Sequence, residues 1–200
     1  MIYSLSGKLL VKKLNFAVIE AGGIGFKIFI SSKSSYKLPK IGSKAKLFCY
    51  TNVRQDGLEL YGFFDEEELE IFELFIAINS IGPKIALRIL SELPLGSVLS
   101  AIDKNRPDIL SRISGIGKKT AERIILELRG KVKNKSEKNG EKLISIMEMD
   151  EDLEKALKNL GYKQSEIKDA LRDVPSKIDK IDERLKFALK FLSKSPTLQR

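Results

Sequence analysis

Two kinds of apolar pattern divide the chain. Up to residue 64 the apolar positions come in short runs interrupted by glycine, serine and proline; after it they recur at three- and four-residue spacing. The first pattern predicts strands over Ile2–Lys12, Phe16–Glu20, Gly25–Ile30, Lys46–Thr51 and Glu59–Phe63. Gly22-Gly23 marks a turn between the second and third, and Pro39 to Gly42 breaks the chain again. Asp56-Gly57, between the last two strands, is a strong hairpin-turn dipeptide. Five short strands packed into so short a stretch predict a small barrel of the OB-fold kind.

The helical pattern starts with Asp65-Glu66-Glu67-Glu68, acids that complement the dipole of a helix start. Leu69, Phe72, Phe75 and Ile78 follow at helical spacing, then Leu87 and Leu90 before Pro94, a short helix with Val98, Leu99 and Ile102, and Ile124, Ile125 and Leu128 running to Gly130. Lys131 to Lys142 holds a single apolar residue, Val132, and reads as a flexible basic linker. Beyond it Leu153, Leu157 and Leu160 end at Gly161. A second helix carries Ile167 and Leu171, and a third after Pro175 carries Ile181, Leu185, Ala188 and Leu192. The class is therefore α+β multidomain: a barrel over 1–64, a helical domain over 65–130, a linker over 131–147 and a three-helix domain over 148–200.

Within the helical domain one motif occurs twice. The segment Ile78-Asn79-Ser80-Ile81-Gly82-Pro83-Lys84-Ile85-Ala86-Leu87-Arg88-Ile89 aligns without a gap on Ile113-Ser114-Gly115-Ile116-Gly117-Lys118-Lys119-Thr120-Ala121-Glu122-Arg123-Ile124. Each copy sets a glycine, Gly82 or Gly117, immediately before a helix. A helix start has unsatisfied N–H groups and positive potential, so the turn is an anion site made of backbone. Lys84, Lys118 and Lys119 stand beside it as counter-charges, and Gly115 supplies the tight turn of the second copy. A nucleotide-binding P-loop does not fit, because Arg112 and Lys119 occupy the positions that need glycine and Ser or Thr.

Charge agrees with an anionic partner: the net charge is +9 and the pI about 9.5. There is no histidine, which removes the commonest metal ligand and the usual general base near neutral pH. The single cysteine, Cys49, lies in an apolar stretch and reads as a buried, inert thiol. No apolar run is long enough to cross a bilayer and the N-terminus has no signal-peptide layout, so the expected location is cytoplasmic.

The duplicated motif resembles the helix-hairpin-helix, which grips DNA phosphates without reading bases. Its second copy is the nearer match, since Ser80 stands in the first where that motif has glycine. Taken with the order of domains, with Leu60-Tyr61-Gly62-Phe63 closing the barrel and with Ala156-Leu157-Lys158-Asn159-Leu160-Gly161-Tyr162 opening the last domain, the whole chain resembles the RuvA family, bacterial binders of Holliday junctions in recombination and repair. The resemblance implies a homotetramer, one or two of which hold a four-way junction open, with no catalysis by this chain and no cofactor or metal. It implies phosphate binding by Gly82, Lys84, Gly115, Gly117, Lys118 and Lys119. It further implies that the hexameric ATPase RuvB docks on the C-terminal domain, with Leu157, Leu160, Tyr162 and Leu171 as candidate contacts, and that the resolvase RuvC cuts the junction. The barrel turn of that family carries two adjacent acids, an acidic pin at the crossover. Here only Asp56 is acidic and Gln55 replaces the other, with Glu59 the next acid along.

Two other readings face this one. A glycosylase with a hairpin grip needs a catalytic aspartate in a packed cleft beyond the second hairpin, where the sequence offers only Glu137 in the lysine-rich segment. A general DNA tether needs nothing further, since phosphate contacts carry no shape information.

Overall fold

In the computed structural model, residues 1–55, 57–132, 138–175, 178 and 180–194 are described, the side chains of 138–143 and 194 excepted. The chain divides into two units, residues 1–140 and 141–200.

The five strands of the first unit are β1 (Ser4–Lys12), β2 (Phe16–Ala21), β3 (Ile24–Ile30), β4 (Lys44–Arg54) and β5 (Gly57–Phe63). They close into a barrel in the order β1-β2-β3-β5-β4, with β3 and β5 parallel and the other pairs antiparallel, which is the OB arrangement. Alternation fills the interior: Leu5, Leu9, Ala17, Ile19, Ile28, Ile30, Leu47 and Cys49 point inward. Burial drives the Cys49 thiol up to about 11, so it is inert. The helix α1 (Ser32–Lys37) joins β3 to β4; it has no apolar period to betray it, and its start is fixed by Ser31, whose Oγ accepts from the Ser34 N–H at 2.9 Å. Gly7 lets β1 and β2 come close, for a Cβ there would lie 1.9 Å from the Glu20 carbonyl oxygen.

The helix α2 (Glu66–Ile76) begins at Asp65, whose Oδ1 accepts from the Glu68 N–H at 2.8 Å, with Glu66, Glu67 and Glu68 in its first turn. Its Phe72 joins helix to barrel, packing on Tyr50, Tyr61 and Phe63 at centroid distances of 5.4, 5.5 and 4.8 Å. Then come α3 (Pro83–Glu92), α4 (Leu95–Asp103), α5 (Pro107–Leu110) and α6 (Lys118–Leu128). Ile89, Val98, Ile102, Ile109, Ile124 and Leu128 are among their buried residues. Among the described residues no single helix is long and apolar enough to cross a membrane.

The second unit holds most of α7 (Lys138–Asn159), with α8 (Gln164–Asp173) and α9 (Ile181–Lys194). Leu157, Ile167, Ala170, Val174, Ala188 and Leu192 form its core. The Arg184 guanidinium, 2% exposed, donates to Asp150 Oδ1 through Nε at 3.0 Å and Nη2 at 2.6 Å, and to the Ile178 carbonyl at 2.8 Å, tying α9 to α7. The segment expected as linker differs in part: residues 138–147 belong to α7, and Val132 is buried. The apolar period that marks α7 begins only further along, so composition hides its first turns. Residues 133–137 lie outside the described part.

Because the atom facing Gly7 is backbone and cannot rotate away, Gly7→Ala should destabilise the first unit by about 3 kcal/mol. Urea unfolding followed by circular dichroism reads this as a lowered midpoint at unchanged slope.

Candidate nucleic-acid interface

The two copies of the motif adopt one backbone conformation. Ser80 and Gly115 both take positive φ, +82° and +87°. Gly82 and Gly117, two residues on, cap their helices with φ/ψ of −85°/168° and −80°/167°. Ile81 N–H donates to the Ile78 carbonyl and Ile116 N–H to the Ile113 carbonyl, each at 3.0 Å, and all four isoleucines are buried. Their burial holds each turn against the domain. Serine in the first copy thus reproduces the glycine turn, at the cost of a conformation that favours glycine, roughly 1 kcal/mol.

Neither α3 nor α6 has a side-chain cap at its start. A Cβ built on Gly82 or Gly117 meets nothing within 4 Å, and their backbone angles suit any residue. Nothing inside the chain calls for glycine at either place. What a bare backbone gives here is access: N–H groups that an outside anion can approach closely. Lys84, Lys118 and Lys119 are exposed around these two helix starts, together with Gly82, Gly115 and Gly117. Every phosphate-binding candidate from the sequence therefore gathers at one of the two turns.

Two residues were not singled out from the sequence. Arg88 Nη1 donates to the Ser114 carbonyl at 2.8 Å, and Glu92 Oε2 accepts from the Ser114 N–H at 3.3 Å. One turn apart on α3, they hold the carbonyl and the N–H of Ser114 at the second hairpin and so fix one turn against the other. The repeat does align Arg88 with Arg123, but Arg123 pairs within its own helix with Glu127 at 2.8 Å. The contact of Arg88 spans 26 residues, which no local signal reveals.

At the barrel, Asp56 lies outside the described residues. Gln55 is exposed in the turn between β4 and β5. Glu59 Oε2 accepts from Asn52 Nδ2 at 3.1 Å and from the Tyr61 hydroxyl at 2.9 Å. These hydrogen bonds, with the charges of Lys84 and Arg54 nearby, hold its carboxyl below the usual range, while burial and Glu59 push the Tyr61 hydroxyl up. Glu59 is thus a fixed anion at the root of the hairpin. In the second unit Leu157 is buried, Tyr162 and Leu171 are half-buried against the core, and Leu160 is 63% exposed.

Comparison with known proteins agrees with this layout. Residues 1–62 match the model of the RuvA N-terminal domain, 72–131 that of a SAM-like helix-hairpin-helix tandem, and 149–193 that of the RuvA C-terminal domain. A relative from Syntrophus aciditrophicus, named Holliday junction branch migration complex subunit RuvA, is 38% identical over 96% of this chain and all of its own length. The chain belongs to the RuvA family. A RuvA of the same name from Chlorobaculum tepidum is 48% identical over 66% of each chain, and one from a Geobacter species 37% identical over 97% of this chain and all of its own. In RuvA terms the two hairpins fall inside the tandem match. The Arg184–Asp150 pair falls inside the C-terminal one.

The open space at the helix starts sets a test. Serine at Gly82 or Gly117 gains an N-cap oxygen and should leave stability equal or higher by a few tenths of a kcal/mol. That oxygen takes up one of the free N–H groups from within the chain, leaving fewer for an outside anion. Gly117→Ser should therefore weaken duplex DNA binding by roughly tenfold. Thermal unfolding and fluorescence anisotropy with labelled duplex measure the two effects side by side.

Proposed function

We propose that this chain binds four-way DNA junctions as a tetramer, without base specificity and without catalysis of its own, and hands them to a motor ATPase for branch migration. The observation that carries the reading is the pair of equivalent, uncapped helix starts, with Lys84 at one and Lys118 and Lys119 at the other, in a chain of the RuvA family. The names of the relatives supply the junction and the complex. The energy of migration comes, on this reading, from RuvB, and cutting from RuvC, with all partners in the cytoplasm. Four-fold symmetry would set four copies of the β4–β5 hairpin around the crossover, where Asp56 acts as the pin and Gln55 leaves it one charge short. At a few ångströms two unit charges in water interact by about 1 kcal/mol, so the missing acid weakens strand parting modestly.

The functional divisions follow the same reading: a barrel over 1–64, a grip over 65–130, a connection over 131–147 and a docking domain over 148–200. Of the four docking candidates, Leu160 is the one whose side chain is free to meet RuvB, since Leu157, Tyr162 and Leu171 serve the core of their own unit.

Lysine contacts to phosphate release counterions, so replacing Lys118 and Lys119 together with Ala should weaken junctions of any sequence and flatten the log–log salt dependence by about two. Anisotropy titrations across a salt series measure this; an unchanged slope and affinity overturn the phosphate assignment. A chain ending at Gly140 should bind junctions with normal affinity, yet fail to support migration by RuvB. Full migration by that truncation in a strand-exchange assay refutes docking by the second unit.

A further inference from the structure

Strands β4 and β5 outrun the barrel they close. The parallel partner of β5 reaches Leu60, Tyr61 and Gly62, and β1 pairs with β4 as far as Phe48, with Tyr3 and Ile2 bonding on to Cys49 and Thr51. The pairs Asn52–Glu59, Val53–Leu58 and Arg54–Gly57 continue outward as a ribbon of two strands. Residues directly opposite in an antiparallel pair share a face, and faces alternate along each strand. Val53 and Leu58 thus lie on the face that also carries Leu47, Cys49 and Leu60, the interior of the barrel. Past the rim there is no barrel left to cover them. Val53 is 74% exposed and Leu58 68% exposed, whereas Leu60, two residues along, is 6% exposed.

A ribbon of two strands is marginal in water by itself. This one is stitched at its root by Asn52, Glu59 and Tyr61, so the apolar pair is carried on a braced support. The field of Lys84 reaches Glu59 on the same root, which sets the ribbon beside the start of α3. On the junction-binding reading, the ribbon stands at the crossover, where strands part. Fully stacked duplex offers no apolar surface there; bases that have lost their partners do.

We propose that Val53 and Leu58 form an apolar wedge that packs against unpaired nucleobases where DNA strands part. This rests on the junction-binding reading above. A second copy of the chain is the poorer occupant, because a stable protein interface buries about 800 Å² per partner and two side chains fall far short of that. Arg54 on the ribbon and Lys84 near its root, both on the face opposite the apolar pair, add positive charge that suits nucleic acid.

The test uses the full chain with Val53→Ser and Leu58→Ser combined. Both sites are exposed, so the fold tolerates the change. The probe is a four-way junction with 2-aminopurine at its crossover, compared with a junction carrying mispaired bases there and with plain duplex. The parent should brighten the 2-aminopurine on binding. The variant at saturation should lose most of that signal and bind the mispaired junction about tenfold more weakly, its duplex affinity holding within about twofold. An unchanged fluorescence response overturns the wedge. So does an equal loss on duplex and junction, which would mean backbone contact, and so does an altered assembly mass by light scattering, which would mean a subunit contact. A parent that binds junction and duplex alike brings down the junction reading itself, and shows this before any variant is made.

Discussion

The two hairpins are built around helix ends that the chain leaves uncapped. Most helices satisfy their first N–H groups from within, as α2 does with Asp65. α3, α4, α5 and α6 have no such side-chain cap, and α3 and α6 are each preceded by a glycine that has open space around it. Such an end is tolerable only in water or against an anion. Packing has to come from elsewhere, and it does: Ile78, Ile81, Ile113 and Ile116 anchor the turns from behind, and Ala86, Ile89, Ala121 and Ile124 seat the helices. Stability is drawn from one side of each hairpin so that the other side stays bare.

Barrel and grip are one body through few contacts of large area. Phe72 meets three aromatic rings of the barrel, and α2 leads directly into the first turn. The hairpin of β4 and β5 and the start of α3 are thereby held in a constant relation, with Glu59 and Tyr61 at the join. Glu59 of the hairpin and the lysines at the two helix starts belong to one compact unit.

Much of this was legible in the sequence, for identifiable reasons. The strands are marked by period and by glycine, and the hairpins by a gapless repeat, because those signals are local. Helix α1 was hidden, for its serines, two lysines and lone tyrosine carry no apolar period, and the Ser31 cap marks its start. The first turns of α7 were hidden by composition. Ser80 shows the limit of reading residue types: geometry imposed by Ile78 and Ile81 overrides the preference of the residue between them. The Arg88–Ser114–Glu92 contact and the exposed face of Val53 and Leu58 depend on pairings across the fold, which spacing alone does not encode.

The clasp of Arg88 and Glu92 on Ser114 also makes the two turns a gauge. If the two turns are the anion seats proposed above, this contact fixes their separation, and they would accept a polyanion only if its charges recur at that separation. Base sequence hardly alters the spacing of phosphates, but helical form does: A-form geometry widens and flattens the minor groove and shifts one backbone against the other. A surface indifferent to the letters of DNA would in this way be sensitive to its helical form.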